Sequence, residues 1–527
     1  MEQLTGLQNL YLHLESGSVP MHASSLTIYD RRTAPSGKVE FQDIQRFFAE
    51  RTQRSEIFRR RLAMLPFSVA RPYWIEDAGF DIEYHLRHIA LPKPGDWRQL
   101  CAQVARLHAR PLDHKRPLWE CYVIEELDNI PGLPPGSFAL FLKTHCATQG
   151  EALSAQLFAA LHELAPDSRS SPAKHAPFFD HPPTFVDLLS RTAIDTVKWP
   201  LGLPRYAAAQ VRPLLAFGTR EAGALVRRVL GRAGGGRSER EAPAPRTRFN
   251  GRVSPHRVVD GARFDVTDVE RIRDVVPGAT VNDVAIAIVA GALRKYLDGR
   301  LESPTVSLVA EAPVASRSET RVYGTRTFAD SAIMPLCTDV EEPAQRLRLI
   351  VAETHRRRAD SRSASGRRML LDAMEFLPTW ALGIAGETAQ RIRLGSFLSP
   401  IVNTTIASIR GPDVPLYMAG ASLVGYYGFA PVHDLAGLAH TVAYYNGTMS
   451  ISVAACRTML PDPARYAQCL RDACAELGEA LGVQAADLAA RRRGGSDAHE
   501  VIPLRAWHSR RSPATPGASK RRAATAA

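Results

Sequence analysis

Nowhere do about 18 consecutive apolar residues follow one another in this 527-residue chain, so no transmembrane helix is expected. The seven cysteines (Cys101, Cys121, Cys146, Cys337, Cys456, Cys469 and Cys474) contain no CxxC pair and no zinc-ligand spacing. Their odd number fits a reducing cytoplasm better than a disulfide framework, and no metal is expected. The opening Met1-Glu2-Gln3 carries an acid where a signal peptide has a basic region, so none is expected. No internal repeat is visible. A hydrophobic fraction of 45% and a charged fraction of 23% exclude both wholesale disorder and a membrane bundle.

Positive charge is present but uneven. Of the net +12, a share of +7 lies between Arg491 and Ala527, where nine Lys/Arg face only Asp497 and Glu500. Rich in Gly, Ser, Pro and Ala, this tail (491–527) reads as a disordered, solvated extension, and nucleic acid is not expected as a partner. A second basic stretch runs from Arg205 to Arg237, with seven arginines and the single acid Glu221. Arg205, Arg212, Arg220 and Arg227 recur among apolar residues, interrupted by Pro204, Pro213 and Gly218. Two readings stay open for it: attachment to an anionic membrane or lipid surface, or a solvated helix face packed on the body.

At this length more than one core is expected, since single cores stop growing at roughly 250–300 residues. The composition breaks at "GRAGGGRSEREAPAPRTR", Gly231–Arg248, where three consecutive glycines and two prolines predict a flexible connector. This gives an N-terminal domain (1–230), a linker (231–248) and a C-terminal domain (249–490). In the first, "SFALFLKT" (137–144) predicts a buried strand behind Pro134-Pro135-Gly136. Leu153, Leu157, Leu161 and Leu164 then recur at helical spacing. In the second, "TVNDVAIAIVAGALRKYL" (280–297) predicts a buried helix capped by Thr280 or Asn282. Asn446-Gly447 between extended runs predicts a type I′ hairpin. Asp462-Pro463 predicts a helix start, with Tyr466, Leu470, Cys474, Leu477 and Leu481 on one stripe. Strands mixed with helices predict an α/β or α+β fold with mixed sheets.

The strand-to-helix junction in the first domain reads "LKTHCATQGE", Leu142 to Glu151. Junctions of this kind hold chemistry because the strand end fixes the backbone while the loop leaves side chains accessible.

Several words, in order, resemble the bacterial wax ester synthase/acyl-CoA:diacylglycerol acyltransferases, relatives of the CoA-dependent acyltransferases that carry an HHxxxDG motif. They are "LTGLQNLYLHLES" with "PMHASSLTIYD", "PLDHKRPLWE" with its Pro117-Leu118-Trp119, "PRTRFNGRVSPHR", "TVNDV" with Asn282-Asp283, and "SIRGPDVPLYMAGASLVGYYG" with Gly411-Pro412. Gln8 stands where the family has an aspartate, and Ser408 and Arg410 replace Asn and Pro. The resemblance extends to about Gly482.

What it implies is an α/β fold of two chloramphenicol-acetyltransferase-like domains with mixed sheets and a reaction tunnel between them. The implied reaction moves a fatty acyl group from acyl-CoA, a substrate rather than a cofactor, to diacylglycerol or a long-chain fatty alcohol. Implied too is a cytoplasmic protein, peripheral to the inner membrane or to a lipid-droplet surface. Against the family's KxHHAxxDG, the ungapped register puts His145 on the first histidine, Cys146 on the second, which acts as general base, and Gly150 on the aspartate. A register slipped by one puts His145 on the base and aligns Gln149-Gly150 with Asp-Gly, but it requires an indel before "AALHELAPD".

A neutral imidazole takes the alcohol's proton; a thiol lacks a comparable basic site. The candidate catalytic positions are therefore His145 and Cys146, with Asn282 and Asp283 shaping the site or capping a helix. Trp119 reads as channel lining or core, and His256 as part of the start of the second domain. Three functions follow: an O-acyltransferase, a catalytically inactive relative that binds acyl-CoA or lipid, and a covalent route through Cys146.

Overall fold

The apolar run behind Pro134-Pro135-Gly136 forms the strand Ser137–His145, in a computed structural model that describes residues 2–54, 56–64, 71–148, 158–167, 187, 190, 244–314, 324–325, 331–359 and 400–483. The Arg205–Arg237 segment, Gly150 and the basic tail lie outside the described residues. Successive side chains of a strand point to opposite faces. Phe138 and Leu140 accordingly enter one apolar cluster with Tyr29, Phe48 and Trp119, while Ala139 and Phe141 enter another with Leu26, Ile28 and Val104. Both faces are covered, which is why the run is continuously apolar rather than alternating.

This strand lies inside a six-stranded sheet ordered Tyr417–Met418, Ala421–Phe429, His22–Asp30, Ser137–His145, Trp119–Leu127, Leu86–Ala90. Its neighbours are antiparallel except the last pair, which is parallel. A seven-stranded sheet runs Ser331–Pro335, Val309–Pro313, Thr404–Arg410, Leu438–Tyr445, Thr448–Cys456, Arg257–Asp265, with Gly324–Thr325 added against Thr404–Arg410. Here Thr404–Arg410 is parallel to two neighbours and the remaining pairings are antiparallel. Both sheets are mixed, as the sequence predicts.

The connector divides the chain more sharply than it divides the sheets. Ala421–Phe429, far beyond residue 248, hydrogen-bonds along His22–Asp30 in the first sheet. It also passes so close to the second that a Cβ on Gly428 would sit 2.6 Å from Thr441 Cγ2 and 2.9 Å from Ile409 Cδ1. Only glycine fits such an approach. The connector's last residues are packed rather than loose: Ala244 is buried, Asn403 Nδ2 donates to the Pro245 carbonyl at 2.6 Å, and Arg248 Nε donates to that of Met459 at 2.7 Å. Trp97 Nε1, on the helix Trp97–His108, donates to Asp260 Oδ1 at 2.8 Å on the second sheet.

Val281–Asp298 is the buried helix expected, and Thr280 rather than Asn282 caps it, in a capping box with Asp283. Asn446 and Gly447 both take positive φ, 42° and 74°, between Leu438–Tyr445 and Thr448–Cys456, as a type I′ turn requires. Pro463–Ala480 starts on Asp462-Pro463 and buries Tyr466, Leu470 and Leu477. Among the described residues no helix is long and apolar enough to cross a membrane.

Candidate active site

His145 ends its strand, opposite His22 in register, and Cys146 begins a single 3₁₀ turn, Cys146–Thr148. Backbone bonds fix the junction: His145 N–H donates to the Leu118 carbonyl at 3.0 Å and Cys146 N–H to that of Met21 at 2.8 Å. Thr148 Oγ1 donates to the His145 carbonyl at 2.6 Å. Behind it, the fully buried Lys143 reaches Glu120 Oε2 at 3.1 Å and donates to the Arg110 carbonyl at 3.0 Å. Burial lowers the Lys143 pKa, and Glu120 opposes that shift.

The His145 ring is wholly buried and both of its nitrogens are engaged. Nδ1 accepts the Ala147 N–H at 3.0 Å, which puts the ring proton on Nε2, 3.3 Å from Glu15 Oε2. In this tautomer no lone pair is left to take a proton from a substrate.

Glu15 is the C-cap of the helix Gly6–Leu14, whose N-terminus is closed by a capping box in which Gln8 pairs with Thr5. Gln8 therefore has a structural place of its own at the position where the family carries an aspartate. Glu15 Oε1 accepts the Met21 N–H at 3.3 Å, and Oε2 also lies 2.6 Å from His114 Nε2. Burial pushes the Glu15 carboxyl up, but hydrogen bonds from His114 and His145 more than reverse this and hold it well below the usual carboxylate range. His114 stands edge-on to His145, with centroids 5.4 Å apart.

Glu15, His114 and His145 have ligand atoms within 4.8 Å of one another, a spacing a metal ion could use. The Ala147 hydrogen bond argues against it, because the proton it forces onto Nε2 occupies the atom that would have to bind.

Cys146 is buried, and its thiol is pushed up to about 12, by burial first and the Glu15 charge second, with the Ala23 N–H acting in the other direction. Nearby, Tyr11 has its phenol raised by burial and then by the charges of Cys146 and Glu311. The site therefore holds a neutral thiol, a neutral phenol and a carboxylate bound to two imidazoles.

The other candidates lie elsewhere in the architecture. Asn282 Nδ2 donates to the Pro313 carbonyl at 2.9 Å, and Asp283 accepts from Thr280 N and Oγ1 at 2.8 and 2.6 Å. Trp119 is core: its Nε1 donates to the Phe58 carbonyl at 2.8 Å and its ring stacks on His85 at 4.5 Å. His256 is exposed beside Ser254. Gly411 sits where a Cβ would meet the Tyr444 carbonyl oxygen at 2.8 Å. Glu15 and His114 were not singled out by sequence reasoning, although both fall in words that carry the resemblance. Only the register that brings residues 15, 114 and 145 together exposes them.

A family model described as the wax ester synthase/diacylglycerol acyltransferase catalytic domain matches residues 4–285, and one for the C-terminal domain of the same enzymes matches 329–478. A Mycobacterium tuberculosis protein, named by inference as a diacylglycerol O-acyltransferase, is 30% identical over 481 residues, covering 91% of this chain and 90% of its own. A second from that species, similarly named, is 27% identical over 505 residues, covering 92% and 100%. Among solved structures, the wax ester synthase/diacylglycerol acyltransferase from Marinobacter aquaeolei is similar with a TM-score of 0.62 at 24% identity, covering 92% of this chain and all of that one. The first condensation domain of the calcium-dependent antibiotic synthetase is similar at 0.50 and 14% identity, covering 91% and 96%. These two likenesses establish the fold: two chloramphenicol-acetyltransferase-like α/β halves with mixed sheets.

Proposed function

The chain belongs to the wax ester synthase/diacylglycerol acyltransferase family, and from that premise we propose that it is an acyl-CoA-dependent O-acyltransferase, acting on diacylglycerol or a long-chain alcohol to give triacylglycerol or wax ester. The observation that supports this most is that likeness to diacylglycerol acyltransferases runs through both halves of the chain rather than one motif. In the reaction the acceptor oxygen bonds to the thioester carbonyl carbon, the C–S bond breaks, and the hydroxyl proton ends on the sulfur of CoA. A base that holds the proton in between is typically worth about 10²–10⁴ in rate. A cytoplasmic protein attached peripherally to the inner membrane or a lipid-droplet surface, through the 205–237 segment, belongs to the same proposal.

A second reading, a relative that binds acyl-CoA or lipid without turnover, is favoured by one observation: neither His145, with both nitrogens engaged, nor Cys146, a protonated thiol, offers a base. The same protonation disfavours a covalent route, since the thiolate is the nucleophile.

Purified protein incubated with labelled palmitoyl-CoA, with and without diacylglycerol or hexadecanol, separates these. Labelled ester above the no-enzyme control supports the first reading, reversible acyl-CoA binding without ester the second, and label retained on Cys146 the covalent route. Neither ester nor acyl-CoA binding sinks the first two together. Liposome co-sedimentation that does not fall when Arg205, Arg212, Arg220 and Arg227 become glutamine removes the membrane part.

A further inference from the structure

If the chain esterifies, the proton needs an acceptor other than the residues at 145 and 146. Most buried histidines are no help. His440 is held between Thr404 Oγ1 at 2.9 Å and Tyr466 OH at 2.7 Å, and His162 between Tyr29 OH at 2.8 Å and the Phe158 carbonyl at 2.7 Å. His108 faces Ser24 Oγ at 2.8 Å and His22 the His108 carbonyl at 2.7 Å, both fully enclosed.

His114 differs on three counts. Its side chain is 29% exposed, while its Nε2–H is held at 2.6 Å by a carboxylate that is itself only 9% exposed. The turn that carries it is fixed by Lys115 N–H to Asp113 Oδ1 at 2.9 Å, Arg116 N–H to the Asp113 carbonyl at 3.2 Å, and Lys143 on the Arg110 carbonyl. Its ring also packs on His145, the neighbour of the position that the family gives to the base. A carboxylate gripping one imidazole nitrogen fixes the tautomer and leaves the other nitrogen to accept a proton.

We propose that His114, oriented by Glu15, is the general base of this acyltransferase, standing in for the imidazole missing at position 146. The inference rests on the O-acyltransferase reading above. His114 Nδ1 takes the acceptor's hydroxyl proton as oxygen bonds to the thioester carbon, Glu15 stabilises the imidazolium, and the same proton passes to the departing CoA sulfur. Groups facing His114 are Glu15 and His145 from the adjoining elements, with Cys146 beside them; Asp113, Lys115 and Arg116 share its turn, and the Arg116 guanidinium is turned to the Gly79 carbonyl at 3.3 Å.

The test measures ester formation from palmitoyl-CoA across pH for the full chain, His114→Ala and His88→Ala. His88 is a comparator, exposed and paired with Glu125 at 2.6 Å on the edge strand of the sheet. His114→Ala is expected to lower kcat by at least about 100-fold with the KM for acyl-CoA little changed, to lose the acid limb of the pH profile, and to recover partly with added imidazole. His88→Ala should do none of these. Wild-type ester formation that survives His114→Ala, or a loss that imidazole does not rescue while urea unfolding stays unchanged, overturns the assignment and leaves the acyltransferase reading standing. No wild-type ester at all overturns both.

Discussion

Replacing Glu15 with glutamine is the most informative single perturbation of the site. Its carboxylate accepts from His114 Nε2 at 2.6 Å, His145 Nε2 at 3.3 Å and Met21 N at 3.3 Å. Hydrogen bonds to a charged group are worth about 1.5–3 kcal/mol each, the longer ones at the low end. Glutamine keeps one acceptor oxygen but turns an NH₂ toward N–H groups that are already donors, so at least one is stranded at about 1–3 kcal/mol. The expected loss is about 2–4 kcal/mol at neutral pH, a large share of a net stability of roughly 5–15 kcal/mol. Equilibrium urea unfolding followed by tryptophan fluorescence reads it.

The pH dependence has a definite sign. Burial raises the Glu15 pKa, yet the His114 and His145 hydrogen bonds hold it well below the unfolded value of about 4.3. The native state therefore binds fewer protons than the unfolded state as pH falls below that value, and this contribution, complete at neutral pH, is progressively lost toward the folded pKa. The gap between wild type and Glu15→Gln should therefore narrow as pH falls below about 4 toward 3. A gap under about 0.5 kcal/mol at pH 7, or one that widens between about pH 4 and 3, refutes the reasoning.

Three further outcomes follow from the same geometry. With its thiol pushed up to about 12, Cys146 should be only about 10⁻⁵ thiolate at pH 7; iodoacetamide followed by peptide mass spectrometry should label it after denaturation but not in the native protein, and rapid native labelling contradicts the buried, neutral site. In a His114→Ala background, Cys146→His, alone and with Gly150→Asp, should raise ester formation by about 10²-fold or more at about 1–3 kcal/mol of overpacking. Folded variants with no rise move the defect elsewhere, for example to Ser408 and Arg410. Gly428→Ala should lose about 1–3 kcal/mol in urea unfolding because its Cβ meets Thr441 and Ile409 inside 3 Å, and an unchanged midpoint contradicts the close crossing of the two sheets.

Local pattern made the elements legible where one rule decided the outcome. A continuous apolar run gave Ser137–His145, two positive-φ residues gave the Asn446-Gly447 turn, and helical spacing gave the buried stripe of Pro463–Ala480. Where two residues could serve, sequence left a choice that geometry made: Thr280 caps because Asp283 reciprocates, while Asn282 turns to Pro313. The crossing of Ala421–Phe429 into the first sheet was not legible, since strand pairing is decided by contacts hundreds of residues apart. The site was half legible. "THC" marked the strand end, but the Glu15–His114–His145 group joins a helix C-cap, a surface turn and a strand terminus, and no local spacing encodes that meeting.

The strand end carries two separable duties, and the substitutions fall on one of them. Holding the turn belongs to His145, whose ring and backbone bind Glu15, Ala147, Leu118 and Thr148, and to Lys143 behind it. Holding a proton belongs, by the resemblance, to position 146, where the thiol occupies a buried site and receives one N–H from Ala23. Exchanging imidazole for a small, weakly polar group there strands little, since cysteine behaves as a compact apolar residue. Removing His145 would instead leave a carboxylate short of a donor and the Ala147 N–H without its ring acceptor. Fold and family are therefore insensitive to an exchange at position 146, so the likeness to acyltransferases points to the class of reaction and not to its rate. That question passes to whichever imidazole near Glu15 still has a lone pair to offer, and His114 is placed to offer one.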